Sequence, residues 1–338
     1  MNVLMVGAGG MGGIHSLVYE ALPDVQITAV VDIREEKAQT LAEKFGAKKY
    51  LSLEEALKNE NPDLVDICTP SYLHAEMALA CMEKKLNVLC EKPIALKVPD
   101  ARKMVAASKQ YGVYFIVAHV VRFWPEFMYL KTAVEEKKYG ELRMLRLSRM
   151  GSLPLWSWDG WMLDEARSGL APYDLHVHDT DFLVHLLGVP QSVDSRYVNA
   201  PDLIANMLTT RYNYAQDIQV EAESGWIRSQ IPFDGGYRAI FDQASLIYEQ
   251  GKLSVYTPYD DGKTLQGVEI ELGDALEMAD SGINISTVGP YFTEIAYFVD
   301  CIRNGKPAEM CPPEGSLNSL LVVDKEMESA RLHKTVEI

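Results

Sequence analysis

The chain has 338 residues, 48% apolar and 24% charged, with 48 acidic against 32 basic side chains and a net charge of −16. That length exceeds one domain of roughly 150 residues and predicts two, each able to bury a core without staples. The acidic excess argues against nucleic-acid binding, which needs a basic field, and no apolar run approaches the ~18 residues of a membrane helix.

The first 120 residues alternate short apolar runs with helical periods. Strands are predicted at VLMV from Val3, ITAVV from Ile27, LVDIC from Leu64, NVLC from Asn87 and YFIV from Tyr114. Amphipathic helices are predicted over Glu35–Phe45, His74–Lys84 and Asp100–Tyr111. Strands apolar on both faces and separated by helices imply a parallel, doubly wound sheet, so the fold class is α/β.

After about Gly140 the pattern changes. Asp217–Ala222 alternates polar residues with Ile218, Val220 and Ala222, the period of a half-buried strand. Short strands are also predicted at Tyr237–Phe241, Ser245–Tyr248, Leu253–Tyr256 and Val268–Leu272, then helices near Tyr291–Arg303 and Gly315–Leu332. This predicts a mainly antiparallel sheet in a second domain, with a division at 1–120 and 121–338. Five cysteines without a CxxC pair fit reduced thiols, and the apolar run at the start reads as a strand rather than a leader. A cytoplasmic protein is the expectation.

After the first strand comes Gly7-Ala8-Gly9-Gly10-Met11-Gly12, a GxGxxG opening into a helix. The spacing suits a tight turn, backbone approach to a pyrophosphate and close helix–strand packing. The helix N-terminus adds free amides and a positive dipole. Asp32 follows at the end of the second strand, where a carboxylate accepts from ribose hydroxyls. These features predict a dinucleotide site. Asp32 would repel a 2′-phosphate and favours NAD, whereas Arg34 could accept that phosphate and admits NADP.

Strand NVLC runs into Glu91-Lys92-Pro93. The carboxyl end of a doubly wound strand points into the ligand crevice, which suits Lys92 for proton donation or electrostatic clamping. A solvated Glu91–Lys92 pair before a turn is the plain alternative.

From Tyr173 the chain reads YDLHVHDTDFLVHLLG. Asp174, His178, Asp181 and His185 fall at i, i+4, i+7 and i+11, one face of an α-helix. An Asp one turn before a His can orient the imidazole of a general base. A wet amphipathic face would carry the same residues. In an α-helix His176 lies about 200° round from His178, so the two cannot share an ion, and no metal is expected.

Together GAGGMG with Asp32, CTPSYLHAEMA from Cys68, VLCEKPIAL from Val88 and DLHVHDTDFLVHLLG from Asp174 resemble the glucose-fructose oxidoreductase / inositol dehydrogenase / MocA family. YFTEIAYFVDCIRNGKP and SARLHKTVEI extend the resemblance along nearly the whole chain. It implies a Rossmann domain followed by an α/β domain with a large, mainly antiparallel open sheet, through which such proteins form dimers or tetramers. The last helix could pack back on the first domain. The implied activity is oxidation of a secondary hydroxyl of a sugar, cyclitol or glycoside, or its reverse, with NAD as cofactor.

The same resemblance implies roles for residues. His178 would take the hydroxyl proton, Asp174 would orient it, and Lys92 would hydrogen-bond the reacting oxygen. Thr69, Pro70, His74 and Glu91 would lie along the cofactor with Gly7, Gly9, Gly10, Met11, Gly12, Asp32, Ile33 and Arg34. Arg122, Trp161 and Asp181 would contact substrate. The chain departs from the pattern at His176, where glycine is common, at Leu170-Ala171-Pro172-Tyr173 in place of a glycine-rich run, and at Val120 and Val121. Trp124, Trp156, Trp158 and Trp161 suit either stacking on a sugar or an apolar core. Two rivals remain: a glycosidase that oxidises, eliminates and reduces with NAD retained, and a non-catalytic dinucleotide sensor.

Overall fold

The computed structural model describes residues 1–200, 205–258, 267–269 and 288–338. They divide into two compact units. The first holds Met1–Val120, Ala166–Ser168 and the described residues of Ala275–Leu317; the second holds Val121–Glu165, Asn318–Ile338 and the described residues of Gly169–Asp274.

The first unit begins with β1 (Asn2–Val6), α1 (Gly10–Ala21), β2 (Gln26–Val31), α2 (Glu35–Phe45), β3 (Lys48–Tyr50) and α3 (Leu53–Asn59). It continues through β4 (Leu64–Ile67), α4 (His74–Glu83), β5 (Asn87–Glu91), α5 (Val98–Tyr111) and β6 (Phe115–Ala118). The sheet order is β3-β2-β1-β4-β5-β6, with every pairing parallel. β4 and β6 are buried along their full lengths, as expected of strands covered on both faces. Gly46 and Gly112 close α2 and α5 at positive φ, and the Ser52 hydroxyl caps α3 by accepting from the Glu55 amide.

In the second unit lie α6 (Pro125–Glu135) and β7 (Leu142–Ser152), and α7 (Glu165–Ser168) falls at a division between the units. Then come α8 (Val177–Leu187), β8 (Ser192–Ala200), β9 (Ala205–Asn213), β10 (Gln219–Ile227), β11 (Asp234–Phe241), β12 (Ser245–Glu249), β13 (Lys252–Tyr256) and β14 (Gly267–Glu269). The chain closes with α9 (Gly289–Asn304), α10 (Pro313–Leu332) and β15 (Val336–Glu337). The nine strands run β14-β13-β12-β11-β7-β10-β9-β8-β15. Only β7 and β10 pair in parallel among them. Of the strand predicted over Val268–Leu272, the part beyond Glu269 lies outside the described residues.

One face of this sheet is buried. Leu145 and Leu147 of β7, Val220 and Ala222 of β10, and Tyr237 and Ala239 of β11 join Phe127 of α6 and Phe182 of α8 in one core. Phe127 stands edge-on to Phe182 at 4.9 Å and to Tyr237 at 5.3 Å between centroids. On the strands' other side the register brings together charges, with Arg146 3.4 Å from Glu223 and Arg211 3.3 Å from Glu221.

The units differ from a simple cut at residue 120. α9 joins the first unit together with the start of α10 as far as Leu317, where Glu314 pairs with Lys109 of α5 at 2.6 Å; the rest of α10 clusters with the second. Arg303 of α9 donates to the Pro23 and Asp24 carbonyls after α1, both at 2.9 Å. Tyr291 of α9 has its ring 6.3 Å from that of His15 on α1.

Candidate active site

The turn from β1 into α1 shows which glycines the fold itself requires. Gly7 sits at φ 102°, and a Cβ there would meet the Cys68 carbonyl oxygen at 2.5 Å; one on Gly12 would meet the Gly7 oxygen at 2.0 Å. At Gly9 the nearest protein atom would be the Arg34 guanidinium at 3.6 Å. Folding alone therefore leaves room for a side chain at Gly9, and its glycine suits a ligand's close approach. Among the described residues no side chain caps the N-terminus of α1 at Gly10 and Met11. Its amides are thus available to an anion, and the cradle fits a dinucleotide pyrophosphate.

Asp32 follows β2 with its carboxylate buried. Four donors converge on its oxygens: the Ala8 amide at 2.8 Å, and the Arg34 amide, Nε and Nη2 at 2.8, 3.0 and 2.9 Å. Burial works to raise its pKa, but the Arg34 hydrogen bonds outweigh this and hold it below the usual carboxylate range. Beside it the Ile33 side chain is 71% exposed.

β4 and β5 end in a second polar group. His74 is buried, its Nδ1 2.8 Å from the Pro93 carbonyl oxygen and its Nε2 2.9 Å from that of Thr69. It ties the Thr69-Pro70 loop to the Glu91-Lys92-Pro93 turn, which gives it a supporting place. Glu91 is buried, and Lys92 is half-buried with its amide donating to Glu91 Oε2 at 3.1 Å.

Beneath this turn lies a cluster that sequence reasoning missed. His15 Nδ1 is 2.8 Å from Asp66 Oδ2, and its Nε2 is 3.2 Å from Glu91 Oε1. Tyr19 donates to Asp66 at 2.9 Å, and Cys68 Sγ lies 3.4 Å from His15 Nδ1. Burial opposes charge on His15, yet Asp66 and Cys68 beside it lift its pKa well above the ordinary value. Burial likewise works to raise Glu91, but the His15 contact overrides it and the carboxyl ends below its usual range. An acid inside an apolar strand, Asp66 in LVDIC, was the available signal. Among the described residues, His15, Asp66 and Cys68 are the three-residue group whose ligand atoms lie within 4.8 Å of one another.

The carboxylate–histidine stripe lies in the second unit, and its geometry corrects the uniform α-helix expected. Pro172–His176 forms a π-helical turn, and α8 begins only at Val177. The wider turn resets the phase between Asp174 and the residues that follow. Asp174 is 4% exposed, and His178 is half-buried. Asp181 is paired with Arg122 through Nε at 2.8 Å and Nη2 at 2.7 Å, and it accepts from Ser319 at 2.8 Å. Both side chains of that ion pair are 1% exposed, so contact with substrate would require the pair to open. For His185, burial and then the Arg122 charge push the pKa down to about 4.

The tryptophans divide. Trp161 packs on Met162, Ala171, Leu175 and Trp226, beside the π-helical turn. Trp124 joins the main core of its unit, and Trp156 and Trp158 are exposed.

Strand order, glycine turn and Asp32 define the first unit as a dinucleotide-binding Rossmann domain. A family model described as an oxidoreductase family with an NAD-binding Rossmann fold matches residues 1–119, and the GFO/IDH/MocA C-terminal domain matches residues 127–242. The chain belongs to the Gfo/Idh/MocA oxidoreductase family, and its first unit is an NAD-binding domain.

Among similar proteins, myo-inositol 2-dehydrogenase of Thermotoga maritima is 30% identical over 190 residues, covering 56% of this chain and 55% of the relative. The 2,7-anhydro-N-acetylneuraminate hydratase of Escherichia coli K12 is 30% identical over 194 residues, covering 57% and 51%. The chain thus spans about half the length of the curated relatives it matches. A solved structure of levoglucosan dehydrogenase with NADH and levoglucosan has the same fold, with TM-score 0.85, 20% identity and coverage of 100% and 99%.

Proposed function

We propose that the protein is an NAD-dependent oxidoreductase that moves a hydride between the nicotinamide and a secondary hydroxyl or ketone of a sugar, cyclitol or glycoside. The observation that carries this reading is the π-helical turn, which holds Asp174 buried one turn before the half-buried His178, in a chain whose first unit is an NAD-binding domain of an oxidoreductase family. Bound NAD would supply the hydride acceptor. His178, half-buried and thus reachable, would take the hydroxyl proton, with Asp174 orienting its ring and stabilising its charge. Lys92 would hydrogen-bond the reacting oxygen and stabilise its developing charge. Gly9, the α1 amides and Asp32 would hold the dinucleotide, with Trp161 offering a ring to an apolar sugar face.

We assign the protein to a cytoplasm, a reading supported by five cysteines without a CxxC pair. Assembly into a homodimer or homotetramer through the open face of the nine-stranded sheet is part of the same reading. No helix among the described residues is long and apolar enough to cross a membrane.

The test is a nicotinamide-absorbance screen of purified protein with NAD and NADP against cyclitols, aldoses and glycosides. Stoichiometric reduction by one class supports the reading. A second reading, chemistry with NAD retained, is favoured by the hydratase among the relatives. It predicts product formation without net absorbance change.

A further inference from the structure

Behind the turn that carries Asp174 and His178 lies a closed set of buried polar side chains that the proposed chemistry does not use. Arg149 faces inward on β7 and donates to both oxygens of Asp179, through Nε at 3.1 and 3.2 Å and Nη2 at 2.8 Å. Asp179 is thereby an acceptor, so the Ser224 hydroxyl of β10 gives it its proton, at 3.2 Å. The Ser224 oxygen then accepts from His176 Nδ1 at 2.9 Å, which places a hydrogen on Nδ1.

The other imidazole nitrogen, Nε2, faces the Tyr212 hydroxyl of β9 at 3.0 Å and Glu326 Oε2 of α10 at 3.4 Å. Thr180 of α8 stands 3.2 Å from the Tyr212 hydroxyl and donates to Glu326 Oε1 at 3.1 Å. Every member except Arg149 has 2% exposure or less. Glu326 is also near Tyr173 of the turn and Tyr214 beyond β9, neither of which brings it a cation.

We propose that His176 and Glu326 are positioning residues whose one shared proton locks the π-helical turn onto β9, β10 and α10, and so fixes the setting of Asp174 and His178. The reasoning is a proton count. Arg149 and Asp179 balance each other. A bare carboxylate at Glu326 would be buried beside a neutral imidazole with only the Thr180 and Tyr212 hydroxyls to answer its charge and no cation, and two protons would leave a buried positive charge. One proton for the pair satisfies both. Burial directs it to the acid, pushing Glu326 up to about 8 and His176 down to about 3. A glycine at position 176 could make none of these bonds, so the imidazole tethers the turn where a smaller residue would leave it free.

This inference rests on the reading of Asp174 and His178 as the proton-transfer pair, and the test separates the two. The His178 titration is followed by NMR in the wild type, Glu326→Gln, Glu326→Ala and His176→Ala, with NAD binding as the check on folding. The Gln amide can donate toward His176 and accept from Thr180, so Glu326→Gln keeps the wild-type His178 titration. Glu326→Ala and His176→Ala shift it by about one pH unit, and kcat falls by ~10- to 100-fold with the NAD constant unchanged. Above about pH 8 kcat declines in the wild type and not in Glu326→Gln. An unmoved His178 titration in both alanine variants overturns the proposal, as does a Glu326→Gln enzyme as impaired as Glu326→Ala. A shifted titration with no turnover of any substrate upholds the lock and removes the redox reading instead.

Discussion

Arg34 grips Asp32 through its amide, Nε and Nη2 at once, all within 3.0 Å. A carboxylate offers about four acceptor positions, and with the Ala8 amide all are filled. A ribose hydroxyl can bind Asp32 only if the guanidinium moves, and a 2′-phosphate would meet that same guanidinium. Arg34→Ala should therefore tighten NAD and weaken NADP, changing the ratio of their dissociation constants by about tenfold or more. Titration calorimetry of both cofactors checks this; a ratio that stays put means Arg34 does not choose between them.

Lys92 has a different expected signature. If only the transition state uses its amine, Lys92→Met keeps NAD binding and lowers kcat/KM by roughly two to four orders of magnitude. Steady-state kinetics on the best substrate of the screen decides it. Full activity in the variant would take Lys92 out of the chemistry.

Phe127 is the aromatic hub of the second unit, edge-on to Phe182, Tyr237 and Tyr248. Phe127→Ala should destabilise that unit by about 3–5 kcal/mol, because three rings cannot close the gap together. Chemical denaturation followed by tryptophan fluorescence measures it, and a loss below about 1 kcal/mol would show that the core collapses into the space.

The His176–Glu326 pair also makes stability depend on pH in a defined window. Folded, the pair holds one proton between about pH 3 and about pH 8. Unfolded, it holds one between 4.5 and 6.5 and none above, the ordinary values of a free carboxyl and a free imidazole. Between pH 6.5 and 8 the native state thus binds the extra proton, and stability falls as pH rises through that range. The loss is on the order of 2 kcal/mol. His15, whose pKa is raised, adds a loss on the same alkaline side. Comparing melting curves of the wild type and Glu326→Gln isolates the pair; parallel pH slopes would rule its contribution out.

Much of the first unit was legible because its strands are apolar on both faces and its helices amphipathic. β3 was hidden because Lys48 and Lys49 sit on a three-residue edge strand paired only with β2. β7, β8 and β9 were hidden for a related reason: arginines and acids on the open face break up the apolar alternation of Leu145 and Leu147. Gly7, Gly12 and Asp32 could be placed from spacing alone, since each answers a local demand of the turn. His15 could not, because its partners Asp66 and Glu91 come from distant strands. Nor could the π-helical turn, since a wheel at 100° per residue presumes the geometry that the turn breaks.

The path of the chain has a consequence for how such a molecule can be taken apart. Residues beyond the middle of the sequence return to complete the first unit, where α9 buries Tyr291, Ile295, Phe298 and Val299. A gene fragment ending at Val120 would encode every strand of the parallel sheet yet leave the α9-facing side of α1 naked to water. Recombination that swaps one contiguous half for another's would separate segments that belong to the same unit, because each unit is assembled from stretches distant in the chain.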